Sequence, residues 1–246
     1  MSELLQIGNF QIPQEKLEPL LVRYQLLPGL LRELAIDRVI ETVECTSVEN
    51  AQAIQQTFER YQLTSNEQIQ QWLETQGLSR EQLEDIAVRQ FKIEKFKQEN
   101  WENKIEAYFL KRKGQLDKAI YSLIRTSDIG VAQEVYFRLI DGEQTFEEAA
   151  RQYSQGAESQ TGGLVGPVEL STPHPAIAQL VATQPIGQIC QPIKLDQWFV
   201  IIRPEQVLRS QLDEPMRQRM MNELFQTWLQ EQMRSVETRT PVGSTL

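Results

Sequence analysis

From Thr145 the chain reads T-F-E-E-A-A-R-Q-Y-S-Q-G, from Gly162 G-G-L-V-G-P-V, from Pro185 P-I-G-Q-I-C-Q-P-I-K-L, and from Trp198 W-F-V-I-I-R. The first piece is a capping box. Thr145 and Glu148 can each take the other's backbone N–H, which predicts a helix over Phe146–Tyr153. Residues 155–163 are polar and Gly-containing, so a loop follows, and Val165–Leu170 reads as a short strand. Pro175–Ala182 reads as a short helix, with strands over Ile189–Leu195 and Gln197–Pro204.

Upstream, Ala119–Arg125 reads as a strand, and Asp128 caps a helix over Ile129–Ile140 that Asp141-Gly142 ends. The order β-α-α-β-α-β-β predicts an α+β domain over 116–208, a small antiparallel sheet with helices. Residues 14–113 carry apolar positions at helical spacing almost throughout, so 1–115 reads as an all-helical module. Pro28-Gly29 punctuates it. The helix that follows is apolar on more than one face, so it is expected between partners. Ser65 with Gln68 and Ser79 with Gln82 are further capping boxes, Gly77 is a stop, and Gly114 is expected to close the last helix of the module. Residues 209–236 return to an apolar helix expected to dock on the N-terminal helices, and 237–246 to a flexible tail.

Composition bounds the function. The chain has 246 residues, 40% hydrophobic, with formal net charge -9. Nucleic-acid binding is disfavoured, because neutralising phosphates needs clustered Lys and Arg. One histidine, His174, and two distant cysteines, Cys45 and Cys190, cannot make an ordinary metal ligand set. No stretch has the ~20 apolar residues of a membrane span. The opening residues lack a signal-peptide pattern, so a cytoplasmic location is expected.

The pieces quoted above resemble the parvulin family of peptidyl-prolyl cis/trans isomerases. That pattern runs F-x-x-L-A-x-x-Y-S, a Gly-Gly-x-L-G turn, a Pro-bearing helix, G-x-I-x-x-P-V and G-x-H-I-I. With helices before and after the insert, the chain is similar to the SurA, PrsA and trigger-factor class of foldases. The helical module itself matches more loosely, at Trp72–Leu83 and at Tyr108-Phe109 with Lys113. The resemblance implies prolyl isomerisation on proline-containing polypeptide clients, with no cofactor and no metal.

Carried over by position, the first-strand histidine falls on Tyr121. The last-strand histidine falls on Phe199, or on Val200 with a different gap. The loop Cys or Asp falls on Gly156, a ring-gripping apolar residue near Ile177, a Met-type neighbour near Pro173, and the acid after Gly-Gly on Leu164. Gly162, Gly163, Gly166, Gly187 and Pro192 are kept. The expected client trough is Tyr121, Leu123, Val165, Ile177, Leu180 and Phe199. Plain structural readings stand beside these. Tyr121 fits a core tyrosine, 199–202 a strand buried on both faces, and His174 an exposed loop residue. Met216, Met220, Met221 and Met233 fit helix packing as well as a binding groove. Turnover on X-Pro bonds and client binding without turnover are both compatible with the pattern.

Overall fold

The computed structural model describes residues 5–7 and 10–237. It divides into two units, residues 1–105 with 217–246 and residues 106–216. A short antiparallel pair, β1 (Leu5–Ile7) and β2 (Phe10–Ile12), comes first. The sequence pattern does not announce it.

In the first unit, α1 (Leu17–Arg23) and α2 (Leu27–Ile40) are separated by a turn with Gln25 at φ 59. The break therefore precedes Pro28, which sits in the first turn of α2 where its missing N–H costs nothing. Residues α3 (Ser47–Arg60), α4 (Asn66–Gln76) and α5 (Arg80–Trp101) each start on a capping box, Thr46 with Glu49, Ser65 with Gln68, and Ser79 with Gln82. Each such cap contributes about 1 kcal/mol. Gly77 ends α4 in the left-handed region at φ 66. Phe58, Leu63, Ile69, Leu73 and Leu83 form the core between α3, α4 and α5.

Helix α2 is not enclosed as its apolar pattern suggests. Ile36 and Ile40 are buried, but Leu30, Leu31 and Leu34 are 41%, 40% and 52% exposed.

Helix α6 (Ile105–Leu116) runs through Gly114 rather than stopping there, because Asp117 N–H still reaches the Lys113 carbonyl. The second unit then builds a sheet in the order β4-β3-β6-β5, all antiparallel. Its strands are β3 (Lys118–Thr126), β4 (Leu164–Glu169), β5 (Ile193–Leu195) and β6 (Trp198–Leu208). Strand β5 is shorter than its apolar run, since Pro192 has no N–H to give a ladder. Upstream of it only single bonds remain, Cys190 N–H to the Ile202 carbonyl and Gly187 N–H to that of Pro204.

Helices α7 (Ile129–Ile140) and α8 (Phe146–Tyr153) cover one face of the sheet, and α9 (Pro175–Thr183) covers the other. Residues alternate between faces along each strand. Ile124 and Ile201 pack with Val135, Leu139, Phe146 and Ala150. Tyr121, Leu123, Val200 and Ile202 pack with Ile177, Val181 and Cys190. Both faces of β3 and β6 are buried, so neither strand shows a clean polar alternation. Each fully buried Ile contributes roughly 2 kcal/mol.

Helix α10 (Glu214–Glu237) returns to the first unit. Phe225 and Trp228 pack at a tilt or edge-on against Trp101 and Phe96 of α5, with ring centroids 5.3–6.0 Å apart. Buried Lys97 donates to Glu94 at 2.7 Å and Asn222 at 2.9 Å, over the Phe225 ring. Met220 and Met221 are buried, so they pack the helix and do not line an open groove. The expected tail lies outside the described residues from 238 onward, and Glu237 still belongs to α10. Among the described residues no helix is long and apolar enough to cross a membrane.

Candidate functional site

Strand β3 is pinned between β4 and β6, and this pairing decides which side chains share the α9 face. Arg125 lies opposite Val200, Leu123 opposite Ile202, and Tyr121 opposite both Pro204 and Val165. Partners across an antiparallel ladder share a face. Tyr121, Leu123 and Arg125 of β3 therefore stand with Trp198, Val200 and Ile202 of β6 beneath α9.

Five of the six expected trough residues meet there. Tyr121, Leu123 and Ile177 are buried in one cluster, with Val165 and Leu180 half-buried against it. Phe199 does not join them. It pairs with Thr126 and Lys194 on the opposite face, with the Lys194 ammonium 6.0 Å from its ring. The odd–even alternation of β6 is the reason. Of the two positions open for the last-strand histidine, Val200 is the one that faces Tyr121. Leu164, opposite Ser122, also lies on the far face.

The floor is closed. Tyr121, Leu123, Val200 and Ile202 are all below 10% exposed, and Val165, Leu180 and Trp198 at the rim are half-buried.

At one end of this floor stands a polar cluster that sequence reading missed. The Arg125 guanidinium donates to buried Glu158 at 2.9 Å and lies 5.7 Å from the centre of the Trp198 ring. Ser154 donates to the same carboxylate at 2.6 Å, and its oxygen accepts the Arg125 backbone N–H. The Arg125 Nε is buried and has no hydrogen-bond partner among the described residues. Gly156 explains how this fits. A Cβ there would overlap the Arg125 guanidinium, so the arginine fills the space where the resemblance puts a Cys or Asp. The available signal was alternation: Arg125 is two residues beyond Leu123 on the same face, and Glu158 is four beyond Ser154.

The two Gly-Gly residues serve packing. Gly163 has φ 86, its carbonyl accepts from Leu123 N–H, and a side chain there would press on Ala150 and the Leu123 carbonyl. His174 is exposed and caps α9, its Nδ1 accepting Ala176 N–H at 3.2 Å.

Electrostatics leave little for covalent or proton-transfer chemistry. Burial, and secondarily the Glu158 carboxylate, pushes the Tyr121 hydroxyl up from its ordinary value, so it stays protonated. Burial also pushes the Cys190 thiol up, away from nucleophilic thiolate. What remains is an apolar floor with a fixed guanidinium at its edge. Such a surface can hold an amide away from water but has no group placed to attack it.

Residues 125–206 match the family model described as a PPIC-type PPIASE domain, or rotamase. Among curated proteins none matches the chain. Among solved structures, the peptidylprolyl isomerase PrsA from Bacillus cereus is 18% identical, covering 100% of this chain and 95% of its own, with TM-score 0.50. PrsA from Bacillus anthracis is 20% identical, covering 88% and 100%, with TM-score 0.46. The parvulin domain of PpiD from E. coli is 24% identical, covering 41% of this chain and 97% of its own, with TM-score 0.34.

The matched segment runs from the end of β3 through α7, α8, β4, α9 and β5 into β6, so residues 125–206 belong to a PPIC-type, or parvulin-type, prolyl isomerase domain. N-terminal helices precede this domain and a C-terminal helix follows it, and the fold is similar to that of PrsA from Bacillus cereus.

Proposed function

We propose that the chain catalyses cis/trans isomerisation of X-Pro bonds in polypeptide clients, slowly, by binding the twisted amide on the α9 face. The carrying observation is that the matched segment supplies α9 and β6 of this face, while Val200, and Tyr121 just upstream of the segment, stand where the resemblance expects imidazoles.

The chemistry allows such activity. The barrier, ~20 kcal/mol, comes from the partial double bond of a planar amide. A surface that binds the twisted form better than either planar form lowers it without acid, base or nucleophile. Val165, Leu180 and Trp198 supply the wet edge against which a pyrrolidine ring rests, above Tyr121, Leu123 and Ile177. The missing imidazoles reduce the rate; they do not remove the principle.

A proline-isomer assay on X-Pro peptides tests this. The expected result is acceleration over background at micromolar protein, reduced about 10-fold or more by Trp198→Ala, since an aromatic anchor of this kind carries about 2 kcal/mol. Leu180→Ala should act in the same direction, with far-UV circular dichroism unchanged for both. Absence of any acceleration removes the catalytic reading. It would leave the second one, a client binder without turnover, which the absent imidazoles favour. As part of the same proposal we place the protein in the cytoplasm, where its two free thiols, Cys45 and Cys190, suit a reducing compartment. Fractionation of source cells checks that placement.

A further inference from the structure

Helix α2 has two apolar faces and only one of them is covered. At 3.6 residues per turn, Leu27, Leu30, Leu31 and Leu34 fall within about 100° on one side, with Ile36 and Ile40 roughly opposite. The Ile face is buried in the unit, and α2 packs on α5. Arg89 of α5 fixes that contact through Glu33 at 2.7 Å and Asp37 at 2.6 Å, and Arg32 reaches Gln226 of α10. The leucine face is open to solvent. Just before it, Val22, Tyr24 and Leu26 are 56%, 60% and 56% exposed.

Six large apolar side chains thus stand in water within residues 22–34. They expose roughly 500 Å² per chain, a size that on a monomer usually marks an interaction surface.

We infer that this leucine face seats the same face of a second copy of the chain, forming a two-fold pair of antiparallel α2 helices. Three observations select that occupant. Spacing at i, i+3, i+4 and i+7 is the stripe that another helix fills with knobs in holes. A helix laid on it satisfies its own backbone hydrogen bonds, whereas an extended segment would depend on water for them. Pairing two such faces buries roughly 1,000 Å², where specific interfaces begin. The flanks carry both signs, Glu18 and Arg23 at one end and Arg38 and Glu41 at the other, all exposed. An antiparallel two-fold arrangement brings unlike charges within reach at both ends, the self-complementarity that a two-fold interface needs. Beside Leu34, an open groove of ≈ 550 Å³ between α2 and α5, lined mostly by charged side chains (Asp37, Arg38, Glu41, Asp85, Arg89 and Lys92), offers a socket for a polar side chain of the partner copy.

Light scattering coupled to size exclusion on the full chain, across the micromolar range, tests this. The expected mass is twice that of one chain. Leu30→Glu with Leu34→Glu should weaken pairing by roughly 100-fold or more, leaving a folded monomer with unchanged circular dichroism per chain and a thermal midpoint that no longer depends on protein concentration. Leu31→Cys, in a Cys45→Ser background, should form a disulfide-linked dimer on mild oxidation. A wild-type chain that stays monomeric throughout overturns the inference. So does a dimer whose affinity the glutamates leave unchanged. A monomer whose suppression of client aggregation falls with the glutamates also overturns it, and assigns the face to clients. None of these outcomes depends on prolyl isomerase activity, so the two readings fail separately.

Discussion

Arg125→Ala is expected to destabilise the protein by about 3 kcal/mol, because it strands a buried carboxylate. The Glu158 side chain is 6% exposed, and its two partners are the Arg125 guanidinium and the Ser154 hydroxyl. Without Arg125 one hydroxyl must hold a charge removed from water. Adding Glu158→Gln should restore part of the loss, since a neutral amide needs less compensation. Gly156 supplies a second arm. Gly156→Ala should destabilise the wild-type chain by pushing the guanidinium off Glu158, and should be nearly neutral once Arg125 is alanine. Urea unfolding followed by circular dichroism, or hydrogen exchange of β3, measures all four variants. Additive effects at 125 and 156 would show that the two do not share one space, and an Arg125→Ala loss below about 1 kcal/mol would show that the pair is solvated.

The second large effect is at Asp117, 1% exposed between α6 and β3. Its carboxylate accepts from Arg209 at 2.7 Å and from both the backbone and hydroxyl of Ser210, at 2.8 and 2.9 Å. It thereby ties the start of β3 to the chain leaving β6. Asp117→Ala should cost about 2 kcal/mol, the scale of hydrogen bonds to a charged group. The loss is smaller than at Arg125 because Arg209 is 67% exposed and stays hydrated when left alone.

This contribution depends on pH. Burial alone pushes the Asp117 carboxyl up, but Arg209 and Ser210 outweigh it and hold the group below the ordinary 3.8. The unfolded chain therefore takes up the proton first as pH falls. The stabilisation is complete above the ordinary carboxylate range and is lost on descent through the lower folded value. Asp117→Asn should show the stability gap at neutral pH and close it in acid, measured by denaturant unfolding at several pH values. A gap that does not change with pH would mean that the charge contributes nothing.

The extent to which the site was legible follows from the same residues. Tyr121, Leu123, Val165, Ile177 and Leu180 could be gathered through the resemblance, with strand alternation putting Tyr121 and Leu123 on one face and helical spacing putting Ile177 beside Leu180. Phe199 could not be placed. A shift of one residue in β6 moves a side chain through the sheet, and only the ladder of β3 with β6 sets that register. Arg125 and Glu158 were invisible for another reason. They are 33 residues apart, and nothing in either neighbourhood says that a glycine at 156 leaves room for a guanidinium.

By itself the sequence determined what depends on near neighbours. Capping boxes at Ser65, Ser79 and Thr145, the Gly77 stop, and the β-α-α-β-α-β-β order rest on bonds between residues three or four apart or on local periodicity, so they survive without knowledge of the rest. The tertiary structure decided the α9 floor with Val200 rather than Phe199, the arginine beside Gly156, and the bare leucine face of α2. Each of these depends on which distant segment arrives to cover a surface, and burial is settled between segments, not within one.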